Sequence, residues 1–154
     1  MKTFICKNLD DTDKLAQKFA KLVENDGCFV CMFGDIGAGK TAFVKRVAKH
    51  LDVKEKVTSP SFVILNEYHD GKLPIFHFDL YRLENEGVKT IIDELEEYSK
   101  DGCLTFAEWA EFSQGEIPLD RMEIQIDYIE ETERSFTFTA YGDKAKKILA
   151  ELVE

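Results

Sequence analysis

Hydrophobic and polar positions along the chain follow two spacings, which predict a mixture of strands and helices. Apolar residues alternate with polar ones, or run together briefly, in stretches that predict strands at 3–7, 29–33, 62–68, 74–79, 104–107, 121–128 and 134–141. Helical spacing follows an N-cap at Asp10 or Asp11 and returns at 40–51, 84–98 and 143–153. The short connections after residues 68 and 128 indicate two hairpins.

A phosphate-binding motif stands between the second strand and the second helix. Residues 34–41 read Gly-Asp-Ile-Gly-Ala-Gly-Lys-Thr and fit the pattern G-x-x-x-x-G-K-[ST]. An apolar run precedes the motif and helical spacing follows it, so it has the strand–loop–helix setting that such loops need. We predict a nucleotide-phosphate site formed by Gly34, Asp35, Ile36, Gly37, Ala38, Gly39, Lys40 and Thr41.

The residue types in this loop suit a polyphosphate. Gly34, Gly37 and Gly39 allow positive φ angles and close approach of the ligand. Consecutive backbone N–H groups form an anion nest, aided by the positive end of the following helix. Lys40 supplies a point charge for the β- and γ-phosphates, and the hydroxyl of Thr41 suits Mg²⁺. ATP and Mg²⁺ are therefore the expected ligands.

The order of the elements indicates the fold class. Hairpins interrupt the alternation of strands and helices, which favours an α/β P-loop NTPase domain with a mixed, partly antiparallel sheet flanked by helices. A length of 154 residues with 44% hydrophobic content suits a single domain spanning 1–154. With no secretory signal and no apolar run of about 18 residues, a cytoplasmic protein without a membrane span is expected.

Cysteine placement and charge narrow the functions further. The four cysteines are expected to be reduced, and Cys28 and Cys31 would point to opposite faces of an extended strand, which disfavours a shared metal. A net charge of −10 disfavours autonomous binding of nucleic acid. Residues 116–133 hold seven acidic side chains against one arginine, whereas 45–56 hold five basic side chains against two acidic ones. This basic stretch is typical of a solvated face, and it is also where an acidic partner would dock.

Two carboxylates are candidates for a Mg²⁺ site. P-loop ATPases place an acid near the metal, and here Asp79 ends one apolar run while Glu108 ends another. Either residue suits the metal, directly or through water, while the other orients the attacking water, and the sequence alone does not distinguish them. His77 alternates with phenylalanines and is expected to pack against the sheet.

Four other positions have open interpretations. Thr58 and Ser59 follow the second helix, where switch segments sense a γ-phosphate. Trp109 fits either a core anchor or an exposed contact residue. Arg134 lies at the turn of the acidic hairpin, where it either reaches a nucleotide or neutralises its neighbours, and residue types alone slightly favour neutralisation.

Together these motifs resemble the TsaE (YjeE) family, small ATPases of bacterial tRNA threonylcarbamoyladenosine synthesis. The resemblance rests on four stretches in the family's order and spacing: GDIGAGKT at 34–41, TSPSF at 58–62, HFDLYRL at 77–83 and EWAE at 108–111. The phosphate loop alone is generic, but the later two stretches are specific. Ala42 departs from the family, which usually has a second threonine there, and puts in doubt a side-chain bond to the α-phosphate.

The resemblance implies a function and partners. It implies an Mg-dependent ATPase required for the threonylcarbamoyl group on adenosine 37 of tRNAs that read codons beginning with adenine. The implied protein partners are TsaD and TsaB, and tRNA would be met only through their complex. An acidic chain fits such a role, because the partners would hold the tRNA.

The resemblance also implies roles for particular residues. The Mg²⁺ ligands match Thr41 and Glu108, so that Asp79 becomes the water-orienting or switch residue. With Lys40, these two acids form the expected catalytic set. Further nucleotide contacts are implied near the start of the first helix and in the acidic hairpin, at Asp10, Thr12 and Arg134.

Two other functions fit the same phosphate loop. A small-molecule P-loop kinase usually gathers several arginines around the transferred phosphoryl group, and only Arg82 and Arg134 lie in suitable segments here. A non-hydrolysing interaction module would use ATP only to order the segment 58–62. A GTPase is disfavoured, because the chain lacks an Asn-Lys-x-Asp motif.

Overall fold

Helices cover both faces of a seven-stranded sheet in the computed structural model, which describes residues 1–35, 38–58, 60, 65–81, 92–98, 100–110 and 117–153. The strands are β1 (Lys2–Cys6), β2 (Gly27–Phe33), β3 (Leu65–Tyr68), β4 (Ile75–Asp79), β5 (Cys103–Glu108), β6 (Arg121–Tyr128) and β7 (Arg134–Tyr141). The helices are α1 (Leu9–Val23), α2 (Lys40–His50), α3 (Ile92–Glu97) and α4 (Asp143–Glu151).

The sheet is mixed, as the sequence predicts. Its strand order is β1-β7-β6-β2-β5-β4-β3. The four central strands β6, β2, β5 and β4 run parallel, while β1, β7 and β3 join by antiparallel pairing. Parallel strands end at the same edge of a sheet, which is where α/β proteins bind ligands. The ends of β2, β4 and β5 carry the phosphate loop, Asp79 and Glu108, so the fold brings these predicted elements to one edge.

Two apolar clusters fix the sheet between its helices. On one face, α1, α2 and α4 cover the sheet. Phe19 of α1 and Phe43 of α2 pack there with Phe136 and Phe138 of β7, and the ring centroids of the contacting pairs lie 5.3–6.4 Å apart. On the other face, Leu95 of α3 joins a cluster that includes Phe29 and Phe78. Cys28 belongs to the first cluster and Cys31 to the second, which confirms that they point to opposite faces of β2.

The predicted start of the first helix is wrong by two residues or more. The N-cap is Asn8 and not Asp10 or Asp11, because the side-chain oxygen of Asn8 accepts from the backbone N–H of Asp11 at 2.9 Å. The carboxylate of Asp11 in turn accepts from the N–H of Lys7 at 2.9 Å. Asparagine and aspartate therefore exchange bonds around the first turn in the manner of a capping box.

Most other element boundaries agree with the sequence pattern. Strands β6 and β7 match their predicted ranges, while the strand predicted at 62–68 is seen as Leu65–Tyr68, with 61–64 outside the described residues. The helix predicted at 84–98 is seen as Ile92–Glu97, and 82–91 lie outside the described residues. The last helix stops at Glu151 because Leu152 is extended, with φ −81° and ψ 107°. None of the described helices has the length and apolar character that a membrane crossing requires.

Candidate phosphate-binding site

The phosphate loop leaves β2 at the centre of the sheet and enters α2. At Gly34 the φ angle is +144°, and a Cβ there would lie 2.5 Å from the carbonyl oxygen of Ile126 in β6, so only glycine fits. Gly39, with φ +109°, is the N-cap of α2 and offers no side-chain cap to the first backbone N–H groups. The first turn of α2 has no acidic residue to offset its positive end. Ile36 and Gly37 lie outside the described residues.

Lys40 is buried at the mouth of the loop. Its ammonium group donates a 2.7 Å hydrogen bond to the carbonyl oxygen of Gly34, and it lies 4.4 Å from the centre of the Trp109 ring. Thr41 follows in the first turn of α2 and is partly exposed, whereas Asp35 is exposed. The loop therefore places a cation, a hydroxyl and the free N–H groups of a helix end together.

The two predicted acids are neighbours on adjacent parallel strands. Asp79 is paired in register with Glu108, and Glu108 is paired with Met32, just before the phosphate loop. Both carboxylates are buried, with 8% of Asp79 and 5% of Glu108 exposed. The backbone N–H of Leu80 donates to the carbonyl oxygen of Glu108 at 3.0 Å and holds the two strand ends together.

The environment of Asp79 disfavours its negative charge. Burial raises the pKa of Asp79, and the nearby charge of Glu108 adds to the increase. The backbone N–H of Tyr81, which donates to Asp79 at 3.0 Å, opposes this rise in pKa, as does the nearby charge of Lys40. A carboxyl whose pKa is raised in this way is suited to accept a proton during a reaction.

His77 packs in the sheet, as predicted, and also contacts the acid pair. Its ring is fully buried and meets Phe106 edge-on, with 6.3 Å between ring centroids. The Nε2 atom of His77 is hydrogen-bonded to Oε2 of Glu108. Sequence reasoning missed this contact, although the signal was available: residues two apart on a strand share a face, so His77 and Asp79 both face Glu108 once β4 and β5 are paired.

Trp109 is neither a fully buried core anchor nor a fully exposed contact residue, the two roles that the sequence left open. It is partly buried, and its ring is tilted against Tyr81 with 5.1 Å between centroids. Its φ angle of +59° is unusual for a residue other than glycine. Strained backbone of this kind tends to occur at functional sites, and here it follows Glu108 directly.

A cavity of about 610 Å³ adjoins the phosphate loop. Its lining includes five residues of the predicted binding set: Asp10, Thr12, Ala38, Gly39 and Arg134. Sequence reasoning missed Asn8, Leu9, Ala42 and Phe136, which line the same cavity. The N-cap asparagine and the alternation along β7 were the available signals for Asn8 and Phe136.

Arg134 ties the β6–β7 turn to the phosphate loop. Its Nε donates to the carbonyl oxygen of Ala38 at 3.2 Å, and its guanidinium lies 4.7 Å from the centre of the Tyr128 ring. Further bonds of 2.8–3.2 Å go to the backbone carbonyls of Glu130, Glu131 and Glu133. Within the described residues Arg134 forms no salt bridge, so pairing with its acidic neighbours, which residue types slightly favoured, is not how it is held.

The remaining predicted segments have partners of their own. Thr58 is exposed, and its carbonyl oxygen accepts from the side chain of Asn66 at 3.3 Å, whereas Ser59 is outside the described residues. In the basic stretch, Arg46 forms a 3.4 Å salt bridge with Asp13, which partly offsets its charge.

The oxygen donors at the loop suit Mg²⁺. Thr41 offers a hydroxyl, and Asp79 and Glu108 offer carboxylates, which are the hard ligands that this ion prefers. The described part of the chain contains no cluster of three or more histidine, cysteine or acidic side chains that would hold a metal ion by itself. Mg²⁺ usually keeps several waters and shares a nucleotide's phosphates, so a small set of protein ligands is adequate.

The sheet topology and the position of the loop are those of the P-loop NTPase fold. The crystal structure of YdiB from Bacillus subtilis resembles the whole chain, with a TM-score of 0.80, 32% identity, and coverage of 98% of this chain and 93% of that one. The chain belongs to the TsaE family, because the family model "Threonylcarbamoyl adenosine biosynthesis protein TsaE" matches residues 6–136.

Individual members of this family are similar over most of the chain. The tRNA threonylcarbamoyladenosine biosynthesis protein TsaE of Bacillus subtilis is 38% identical over 139 residues, which is 90% of this chain and 84% of that protein. The protein of the same name from Aquifex aeolicus is 36% identical over 136 residues, covering 87% of this chain and 92% of the relative. These matches agree with the resemblance that the sequence motifs indicate.

Proposed function

We propose that this protein is an Mg-dependent ATPase that acts with TsaD and TsaB in forming the threonylcarbamoyl group on adenosine 37 of tRNA. Family membership supports the pathway. The observation that carries the ATPase is the meeting of buried Lys40, Asp79 and Glu108 at the sheet edge where β2 enters the phosphate loop. A cytoplasmic setting, where tRNA is available, is part of the proposal.

The phosphates would bind at the N-terminal end of α2. Backbone N–H groups of the first turn and the helix dipole favour an anion there. Lys40 would exchange its bond to the Gly34 carbonyl for the β- and γ-phosphates. Thr41 and Glu108 would hold Mg²⁺, which when bound neutralises charge on the phosphates and orients them for attack.

The nucleoside would occupy the adjoining cavity. Leu9, which is 60% exposed, supplies apolar surface for a purine ring, while Asp10 and Thr12 supply polar groups for the base or the ribose. Arg134 lines the same cavity and touches the loop at Ala38, so it would align the two halves of the ligand. The volume of about 610 Å³ is in the range of small-molecule sites.

Asp79 would orient the water that attacks the γ-phosphate. It is buried next to Glu108, and its raised pKa suits a proton acceptor. Phosphoryl transfer leaves little covalent chemistry for the protein to perform. Most of the catalysis would therefore come from positioning the reactants and stabilising charge. Contact with the partners would complete that positioning, so hydrolysis by the isolated chain should be slow.

The test is ATP hydrolysis by the purified chain with Mg²⁺, with and without a TsaB–TsaD pair and tRNA. Stimulation by the partners that is lost in Lys40→Ala, and retained in the control Lys147→Ala on the exposed side of α4, would support the proposal. Nucleotide binding without hydrolysis under every condition would overturn the ATPase and favour the non-hydrolysing module. Phosphate transfer to a small molecule in place of water would favour the kinase.

A further inference from the structure

The side chain of His77 has one hydrogen-bond partner within the described residues, the carboxylate of Glu108. Its Nε2 atom meets Oε2 of Glu108, while its Nδ1 atom is buried without a hydrogen-bond partner in the described chain. The ring is fully buried and packs edge-on against Phe106. A phenylalanine or leucine would fill such a place without burying polar atoms, so packing alone does not account for an imidazole here.

The geometry also determines which nitrogen carries the hydrogen. An ionised carboxylate only accepts hydrogen bonds, so Nε2 of His77 must donate to Glu108. Nδ1 then is the nitrogen without a hydrogen, because a second N–H would be buried with no acceptor in the described chain. The ring is therefore held as the Nε2–H tautomer, with its donor directed at one oxygen of Glu108.

The position of His77 in the sheet gives this bond its direction. His77 precedes Asp79 by two residues on β4, so both side chains face the same side of the sheet as Glu108 on β5. The next strand places Asn66 in register with His77, and Asn66 donates to the carbonyl oxygen of Thr58 at 3.3 Å. Asn66, His77 and Glu108 thus stand on the three neighbouring strands β3, β4 and β5. His77, on the middle strand, lies between the residue that contacts Thr58 and the acid beside the phosphate loop.

We propose that His77 is a positioning residue, which fixes the orientation of the Glu108 carboxylate at the phosphate loop. This inference rests on the proposed role of Glu108 as a Mg²⁺ ligand. By donating to Oε2, His77 restrains rotation of the Glu108 carboxylate and leaves the other oxygen free of this bond. Groups that orient a metal-binding carboxylate in this way influence the affinity of the site for the metal, although they do not contact the metal themselves.

The first test uses ¹⁵N and ¹H NMR of the histidine rings in the ligand-free protein. The chain has three histidines, His50, His69 and His77, so the signals are few. We expect an Nε2–H signal whose proton exchanges slowly, because His77 is the fully buried ring of the three, and this signal should be lost in His77→Gln and shifted in Glu108→Gln. The control His69→Gln, at an exposed site, should leave it unchanged. An Nδ1–H tautomer, or no shift in Glu108→Gln, would overturn the inference.

The second test compares two substitutions of similar size. His77→Gln keeps a donor that can reach Glu108, whereas His77→Leu removes it. We expect His77→Leu to raise the Mg²⁺ concentration for half-maximal hydrolysis about 10-fold, with ATP binding in the absence of Mg²⁺ changed less than about 2-fold. His77→Gln should recover most of the loss. Equal behaviour of the two variants would show a structural role only and overturn the inference.

Failure of the proposed function would look different. If Glu108 is not a Mg²⁺ ligand, Glu108→Gln would leave the Mg²⁺ requirement unchanged, although the NMR contact between His77 and Glu108 would persist. If His77 does not position Glu108, the Mg²⁺ requirement would change in Glu108→Gln but not in His77→Leu.

Discussion

The ammonium group of Lys40 lies 4.4 Å from the centre of the Trp109 ring, which couples the phosphate loop to the end of β5. Trp109 is the only tryptophan in the chain, so its fluorescence reports this contact directly. A cation over an indole ring alters its electronic surroundings. We expect Lys40→Met to change the emission of the ligand-free protein, measured by its wavelength and intensity. Lys45→Met, on the exposed face of α2, is the control, and identical emission from both variants would contradict the contact.

Asp79→Asn should stabilise the ligand-free protein at neutral pH. The pKa of Asp79 is raised above 3.8, so its contribution to stability is present below pH 3.8 and is lost as pH rises through the higher folded-state pKa. Asparagine keeps the acceptor for the Tyr81 N–H but carries no charge. We expect a gain of about 2–4 °C in Tm at pH 7, the shift that about 1 kcal/mol produces.

The gain in Tm from Asp79→Asn should depend on pH. Thermal unfolding of Asp79→Asn and the parent chain should converge as pH falls toward 3.8, because Asp79 of the parent then binds a proton. Asp101→Asn is the control, since Asp101 is exposed and its pKa is lowered by Lys144. Loss of stability in Asp79→Asn at pH 7 would mean that the buried charge is better compensated than its surroundings indicate.

Arg134→Ala should weaken ATP binding about 10-fold, which corresponds to about 1.4 kcal/mol. Arg134 lines the cavity beside the phosphate loop and bonds to the carbonyl of Ala38. Arg121→Ala is a matched control, because Arg121 also lies over a tyrosine ring. Arg121 starts β6 and therefore lies at the end of the β6–β7 hairpin that is opposite Arg134. Isothermal titration calorimetry with ATP distinguishes them, and equal losses of affinity would argue against a nucleotide contact at Arg134.

Gly27→Ala should destabilise the fold far more than Gly102→Ala. Both glycines have positive φ angles, +76° and +93°, so alanine is strained at either position. At Gly27 a Cβ would also lie 1.9 Å from the carbonyl oxygen of Cys103, whereas nothing lies within 4 Å at Gly102. We expect losses of about 2–5 and about 1–2 kcal/mol in urea unfolding. Equal losses would mean that β2 and β5 separate at this end without cost.

Cys28 and Cys31 should be inert to alkylation while the protein is folded. Burial raises the pKa of each thiol to about 12, so the reactive thiolate is scarce at neutral pH. Iodoacetamide labelling followed by mass spectrometry should find these two sites modified only after denaturant is added. Rapid labelling at pH 7 without denaturant would show that β2, and with it the phosphate loop, opens readily.

Sequence patterns predicted the parts of the site that depend on local spacing. The phosphate loop could be predicted because its glycines, lysine and threonine act within eight consecutive residues. Asp79 and Glu108 could be predicted as strand ends, since apolar runs indicate where strands stop. Their pairing could not, because strand order depends on the packing of the whole sheet and no local pattern specifies it.

The missed features involve residues that only the folded sheet brings together. The bond from His77 to Glu108 joins residues 31 positions apart, and the one from Arg134 to Ala38 spans 96. The N-cap at Asn8 was a local feature and was missed because Asp10 and Asp11 are also good caps, so that only the backbone geometry selects among the three.

The pairing of β1 with β7 has a consequence for how the protein is made. The first strand finds its partner only after residue 134 has been synthesised, and β2 meets its neighbour β6 only after residue 121. A ribosome-bound chain that ends soon after the phosphate loop therefore lacks both strands that flank β2, namely β5 and β6. Such late, long-range pairing slows folding and leaves apolar strands exposed during translation. The phosphate loop therefore reaches its final setting between β5 and β6 only after the β6 strand has been made.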